Sequence, residues 1–379
     1  MLSYRACMAS VLAVNFLSLS VPCAAQDGVG KDSIVIGQSA ALTGPGAMIG
    51  NGAREGALAY FAEVNRKGGV HGRKIVLESL DDAFNAGKAA ANTRSLIAKK
   101  NVFALFGYVG GPASIAALAI ATEAKMPFVG ALNGNDALRD PFNRYAFNVR
   151  ASFADELVYV IDHLTTVGMS RVAVFHANDA PGRRALATVE QALSKKGLKP
   201  IPLPYERNSM VFPQLLPVLA EQDSQAVILV GAPGTAAAFV REAKKVNLNP
   251  QFVGLSSIGA SELVKELGAD AHGVGMMQVV PLPNSATFPI VSEYQKAMAQ
   301  AGTKNLSHAS LEGFIAAKVL VEGLRRAGPR LTRERFIEAM ETLTGYDLGG
   351  PVVSFSPKNH SSATFVELTV VGKNGAILR

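Results

Sequence analysis

Two short stretches of this chain carry groups suited to holding a small anion. The first is Phe106-Gly107-Tyr108-Val109-Gly110-Gly111-Pro112-Ala113-Ser114, where an apolar run ends, two glycines expose backbone and a proline opens a helix. Proline suits a first helical turn because its missing N–H would have had no partner there. The other N–H groups of that turn, with the Ser114 hydroxyl and Tyr108 beside them, can receive a carboxylate. A tightly packed turn without a ligand accounts for the same residues. The second stretch, Ala131-Leu132-Asn133-Gly134-Asn135-Asp136, offers further amide and carbonyl groups after another apolar run.

Residues for covalent or metal chemistry are not grouped in the same way. The sequence has no Cys/His metal cluster, HExxH, GxSxG elbow or Walker A run, so neither a metal, a cofactor nor a catalytic constellation is expected. The histidines, His71, His163, His176, His272, His308 and His360, are dispersed. Asp81-Asp82 resembles a paired carboxylate, but an aspartate between a strand and a helix more often caps the helix or holds a loop. Thr43-Gly44-Pro45-Gly46-Ala47-Met48-Ile49-Gly50 invites a dinucleotide reading, yet Ile49 stands where the third glycine of GxGxxG belongs.

The elements that must position these turns follow a repeated order: a short β-rich run, a glycine-containing turn, then an amphipathic helix. Strands are expected at 33–36, 74–80, 102–106 and 128–130, with helices from 52 to 66, at 86–99 and at 112–124. An irregular piece, 131–148, follows. The order restarts with helices at 153–167, 182–196, 212–221, 235–246 and 261–267 and strands at 171–175, 226–231, 252–255 and 274–280. Pro217 argues for a kink or break in the 212–221 helix. Helices at 288–301, 309–327 and 333–343 come next. Two strands, 352–355 and 365–371, close the chain, joined by a turn around 357–361. Alternating strands and helices imply parallel sheets covered on both faces. In such open sheets ligands sit at the carboxyl ends of the strands, where both turns fall.

The chain has 379 residues, too many for one ordinary core, and 49% hydrophobic against 18% charged residues is a globular balance. A net charge of +7 could suit nucleic acid, but the basic residues are scattered. Pairs such as Lys244-Lys245 and Arg325-Arg326 fall late in expected helices, where they complement the helix dipole; no nucleic-acid partner is expected. The N-terminus reads as a signal peptide: Arg5, an apolar run over 6–21, then Cys23-Ala24-Ala25, with cleavage after Ala25. Lipidation at Cys23 is the weaker alternative, given Pro22 and Ser20. Both cysteines, Cys7 and Cys23, lie in this segment, so the mature protein is expected to be cysteine-free.

The ordered segments resemble the leucine/isoleucine/valine-binding, branched-chain amino-acid type of periplasmic solute-binding protein. The resemblance rests on Ile34-Val35-Ile36-Gly37, Leu42-Thr43-Gly44-Pro45 with Gly50, and Val64-Asn65-Arg66-Lys67-Gly68-Gly69-Val70-His71-Gly72-Arg73-Lys74-Ile75. It continues through Asp81-Asp82, Phe106-Gly107-Tyr108, Pro127-Phe128-Val129-Gly130, the run 142–150 and Ser310-Leu311-Glu312-Gly313. It implies an α/β, type I periplasmic binding fold: two doubly wound parallel-sheet lobes joined by three hinge crossings near 148–151, 280–283 and 349–351. Lobe 1 would hold 26–148 with 282–349, and lobe 2 would hold 149–281 with 350–379. It also implies a monomer that takes no cofactor and delivers a ligand to an inner-membrane ABC permease with a cytoplasmic ATPase. A sensory protein reporting to a membrane receptor would use the same fold.

The two turns and the resemblance together place the ligand on Ile49, Tyr108, Gly110, Gly111, Ser114, Leu132, Asn133, Gly134 and Asn135 of lobe 1, and on Asp179, Pro181, Ala232 and Ser256 of lobe 2. Several of these depart from the family. Gly111 replaces a Ser or Thr hydroxyl, Gly134 a threonine, Ala232 a tyrosine, and Pro181 stands where relatives carry a tyrosine. Ser256 stands where the family has the glutamate that neutralises an amino acid's ammonium. A buried unpaired charge is costly, so an α-amino acid would need Asp179 or Glu206 as a substitute acid. The smaller residues imply a roomier cleft for a larger or less polar ligand.

Overall fold

The computed structural model describes residues 28–207, 209–303, 305–361 and 363–379. The expected signal peptide, its expected cleavage point and both cysteines lie outside the described residues. Two sheets organise the chain. The first contains β1 (Ser33–Ala40), β2 (Lys74–Asp81), β3 (Ala104–Phe106), β4 (Phe128–Val129) and β5 (Ala146–Phe147), all parallel, in the order β2-β1-β3-β4-β5. Its helices are α1 (Ala47–Arg66), α2 (Ala86–Ala98) and α3 (Gly111–Glu123).

The chain then crosses to the second lobe, entering α4 (Phe153–Thr166) through a capping box in which Ser152 and Asp155 satisfy each other's backbone. There β6 (Val172–Ala177), α5 (Ala180–Ser194), β7 (Ile201–Tyr205), α6 (Leu215–Glu221), β8 (Ala226–Val230), α7 (Pro233–Lys245), β9 (Gln251–Gly254), α8 (Ala260–Leu267) and β10 (Gly275–Gln278) follow. α9 (Pro289–Gln300), α10 (His308–Ala327) and α11 (Arg333–Glu341) return to lobe 1, followed by the hairpin of β11 (Tyr346–Asp347) and β12 (Val352–Val353). β13 (Glu367–Val371) and β14 (Ile377–Leu378) finish the second sheet, whose order is β14-β13-β10-β9-β8-β6-β7.

Each sheet is covered on both faces. In lobe 1 one face packs against α1 and the returning helices α9 to α11, the other against α2 and α3. In lobe 2, α4 and α5 cover one face and α6 to α8 the other. The contact of α1 with α10 depends on glycine: a Cβ on Gly56 would lie 1.7 Å from Ser310 O, and one on Gly313 would lie 2.1 Å from Ala53 O. That close crossing brings the N-terminal ends of both helices to the same edge of the lobe.

Three local features differ from the sequence reading. β7 was not anticipated, because Pro202 and Pro204 disguise it. It is the edge strand of its sheet, where a missing N–H costs no ladder bond. Pro217 sits in the first turn of α6, which begins at Leu215, so it starts the helix instead of breaking it. At 349–351, where a crossing was expected, Gly349 and Gly350 (φ 101° and 131°) form the turn between β11 and β12. Val353, Phe355 and Ala363 still belong to the lobe 1 core, and the chain reaches the second sheet only at Glu367. The closing strands therefore do not pair with each other: β12 pairs with β11, and β13 with β10 and β14.

Candidate functional site

The carboxyl ends of the strands in both sheets face one cleft of about 830 Å³. From lobe 1 it receives the starts of α1 and α3 and the turn after β4; from lobe 2 it receives the starts of α5, α7 and α8. Strand-to-helix turns collect there because every parallel strand releases its chain at the same end of the sheet.

The α3 turn and the turn after β4 meet at Gly111. Gly110 caps α3 with a positive φ (88°), and Pro112 stands in the first turn. Ser114 N–H is bonded to Gly110 O at 3.0 Å, while the N–H groups of Gly111 and Ala113 have no acceptor among the described residues. Asn133, only 8% exposed, accepts the Asn135 N–H at 2.9 Å through its Oδ1; Asn135 accepts the Ala137 N–H in the same way. Their side-chain nitrogens make no hydrogen bond among the described residues. Each sits beside Gly111: a Cβ placed there would be 3.5 Å from Asn135 Nδ2 and 3.6 Å from Asn133 Nδ2. Backbone and amide donors thus converge on a space open because residue 111 has no side chain, which is the arrangement that receives a carboxylate.

Around these donors the lobe 1 wall is apolar. Met48, Phe84 and Ile115 are among the exposed large hydrophobic residues, and all three line the cleft with Ile49 and Leu132. Exposed apolar side chains gathered in one concavity mark a binding surface. Phe84 reaches it through two consecutive residues of positive φ, Ala83 (49°) and Phe84 (62°). Asp81 and Asp82 hold that turn. Asp81 accepts from Leu42 N–H, Thr43 N–H, Thr43 Oγ1 and Ala83 N–H; Asp82 accepts from Ser39 Oγ and Phe84 N–H. The Thr43 hydroxyl leads in drawing the Asp81 carboxyl down to about 2. The acidic pair is a loop anchor, and it sets the aromatic wall of the cleft.

Of the thirteen sequence-derived positions, ten line the cleft: Ile49, Gly110, Gly111, Leu132, Asn133, Asn135, Asp179, Pro181, Ala232 and Ser256. Three do not. Tyr108 is fully buried between sheet and helices, bonded to Thr93 at 2.9 Å and packed 5.0 Å from the Phe128 ring; burial pushes its hydroxyl pKa up. Ser114 is also fully buried, its Oγ unpartnered and away from the cleft lining. Gly134 packs under Phe153, where a Cβ would come within 2.5 Å of the ring.

Neither candidate acid for an ammonium is available. Asp179 caps α5 through Gly182 N–H at 2.9 Å and pairs with Arg207. Burial raises its pKa, but those partners outweigh burial and leave it below the usual range. Glu206 accepts from Asn178 at 3.1 Å and does not line the cleft.

Ser256 opens onto a group of residues not anticipated from the sequence. Its Oγ donates to Glu156 Oε1 at 2.6 Å and its N–H to Oε2 at 2.8 Å. Arg150, on the first crossing, holds Glu156 at 3.0 Å and Glu312 of α10 at 3.1 Å. Burial raises the pKa of both glutamates, with Arg150 acting against it. The knot ties the first crossing to both lobes beside the cleft. Arg150 and Glu312 lie inside segments that carried the family resemblance; Glu156, 6 residues on and fully buried, had no such signal.

Comparison with known proteins agrees with this geometry. A family model described as periplasmic binding protein matches residues 33–376. A Leu/Ile/Val-binding protein homolog 7 from Brucella abortus (strain 2308) is 26% identical over 331 residues, 82% of each chain. A possible leucine/isoleucine/valine-binding protein from Rhodopirellula baltica SH 1 superposes with a TM-score of 0.83 at 31% identity, covering 93% of this chain and 97% of that one. A substrate-binding periplasmic protein from Ralstonia solanacearum gives 0.81 at 33% identity, covering 91% and 99%. With two parallel-sheet lobes and a cleft built from their strand ends, this chain belongs to the periplasmic binding protein family, of the leucine/isoleucine/valine-binding type.

Proposed function

We propose that this protein is the periplasmic substrate-binding component of an ABC importer. It captures a small solute bearing a carboxylate and delivers it to a membrane permease served by a cytoplasmic ATPase. The observation that carries this reading is the convergence of unpartnered donors at Gly111, Ala113, Asn133 and Asn135 against an apolar wall. Those donors fit a carboxylate; Met48, Phe84 and Ile115 fit an apolar body attached to it. Groups from both lobes line the cleft, so a ligand touching both favours the closed form, and hinge closure is the expected response. Asp179, Glu156 and Glu312 are already matched with Arg207, Arg150 or the start of α5, whereas Glu55, Asp136 and Glu262 also line the cleft and form no ion pair among the described residues, so the test sets α-amino acids beside plain carboxylates.

The test is a thermal-shift and calorimetric panel of phenylacetate, 3-phenylpropionate, 4-methylpentanoate and octanoate, each with its amide, beside L-phenylalanine and L-leucine. A ligand that binds only the folded protein raises its melting temperature. Stabilisation by carboxylates and not by their amides is expected. A panel in which no carboxylate binds, or in which acid and amide bind alike, overturns the carboxylate reading.

A further inference from the structure

We infer that Arg139, which does not line the cleft, is a positioning residue that gives the Gly111 donor group its preference for a charged carboxylate. The inference rests on the carboxylate reading of the site. Arg139 follows the turn after β4 and folds back beneath it. Its Nη1 donates to Asn133 O at 3.3 Å and Asn135 O at 3.0 Å, and its Nη2 donates to Arg150 O at 3.1 Å. Nε is buried without a partner. All the bonds of this guanidinium therefore go to main-chain carbonyls, and it forms no ion pair among the described residues.

Two consequences follow. The two residues whose carbonyls it holds are those whose side-chain amides face Gly111, so it fixes the turn that presents those donors. Its charge also has no contacting carboxylate; Asp136, Asp155 and Glu156 act on it only from farther away, and Arg150 opposes them. Burial, with help from Arg150, draws its pKa down to about 10, so it keeps its charge at neutral pH. A fixed cation behind hydrogen-bond donors polarises them and favours a charged acceptor over a neutral one. The bond to Arg150 O also joins this turn to the first hinge crossing, so the anion subsite and the hinge share one brace.

The experiment compares wild type, Arg139→Met, Arg139→Gln and Arg139→Lys, with 3-phenylpropionate and 4-methylpentanoate and their amides as probes. Calorimetry reads affinity, and thermal unfolding without ligand reads the fold. Arg139→Met should lower carboxylate affinity roughly tenfold or more, as loss of a charge-assisted interaction does, with amide affinity nearly unchanged. Arg139→Lys should recover most of the acid-over-amide preference. Where Arg139→Met does not fold, the contrast of Lys with Gln carries the test. An undiminished preference in Met or Gln overturns the inference. So does an equal loss for acid and amide, which would make Arg139 a structural brace only. Wild-type protein that binds no carboxylate, or does not distinguish acid from amide, overturns the carboxylate reading itself.

Discussion

Gly111→Ala separates ligand binding from folding because the two should move in opposite directions. The added methyl would sit 3.5 Å from Asn133 Oδ1 and Asn135 Nδ2 and 3.6 Å from Asn133 Nδ2, ordinary van der Waals contacts that require no shift. Gly111 is not among the residues of positive φ and begins a helix, so alanine should leave the free protein equally stable or up to about 1 kcal/mol more stable. A bound carboxylate oxygen must come to about 2.9 Å from its donors. The methyl occupies that space. Losing two hydrogen bonds to a charged group, at about 1.5–3 kcal/mol each, removes about 3–6 kcal/mol of binding. That is roughly a hundredfold to ten-thousandfold loss in affinity. Gly110→Ala is the contrasting control: its φ of 88° and a Cβ 2.6 Å from Phe84 Cε2 should lower the stability of the free protein. Calorimetric titration with 3-phenylpropionate, beside thermal unfolding without ligand, measures both effects. Affinity of Gly111→Ala within threefold of wild type, or a melting temperature below that of wild type, would refute the reasoning. Gly111→Leu should abolish binding with the fold intact.

Arg150→Met should destabilise the protein by about 3–5 kcal/mol in urea unfolding, since it strands Glu156 and Glu312 without their cation; a loss below about 1 kcal/mol would mean that water reaches the knot. Gly56→Ala should cost at least about 1–3 kcal/mol by forcing α1 and α10 apart, and an unchanged melting temperature would contradict the close crossing. His360 stacks 4.0 Å from the Phe147 ring, and burial lowers its pKa from 6.5 to about 4, although Nε2 lies 3.4 Å from Glu341 Oε1 without a hydrogen bond. The unfolded chain then binds more protons between those values. The resulting stability is present above pH 6.5 and is lost as pH falls towards 4, by up to about 1.4 kcal/mol per pH unit. His360→Gln should flatten the pH dependence of unfolding across that window, and parallel curves for variant and wild type would sink the assignment.

Much of the architecture is legible from local pattern. A β-rich run, a glycine turn and an amphipathic helix each depend on neighbours in sequence, so the alternation marks two parallel sheets and the turns at their carboxyl ends. Gly110-Gly111-Pro112 and Asn133-Gly134-Asn135 are visible as donor-bearing turns at strand ends for that reason. Elements that depend on their place in a sheet are not visible: β7 tolerates Pro202 and Pro204 because it is an edge strand. The course of the chain after 349 likewise depends on which core receives Val353, Phe355 and Ala363.

The same division runs through the site. By itself the sequence determined that backbone and amide donors would stand at two strand ends, because residue type and turn chemistry are local. Tertiary structure alone decided which of them share a space. It sent Tyr108 and Ser114 into the core and placed Gly134 under Phe153. It committed Asp179 to Arg207 and brought Arg150 to Glu312 across 162 residues. Charges are matched by position in space, and a buried acid is free for a ligand only if no arginine has already reached it.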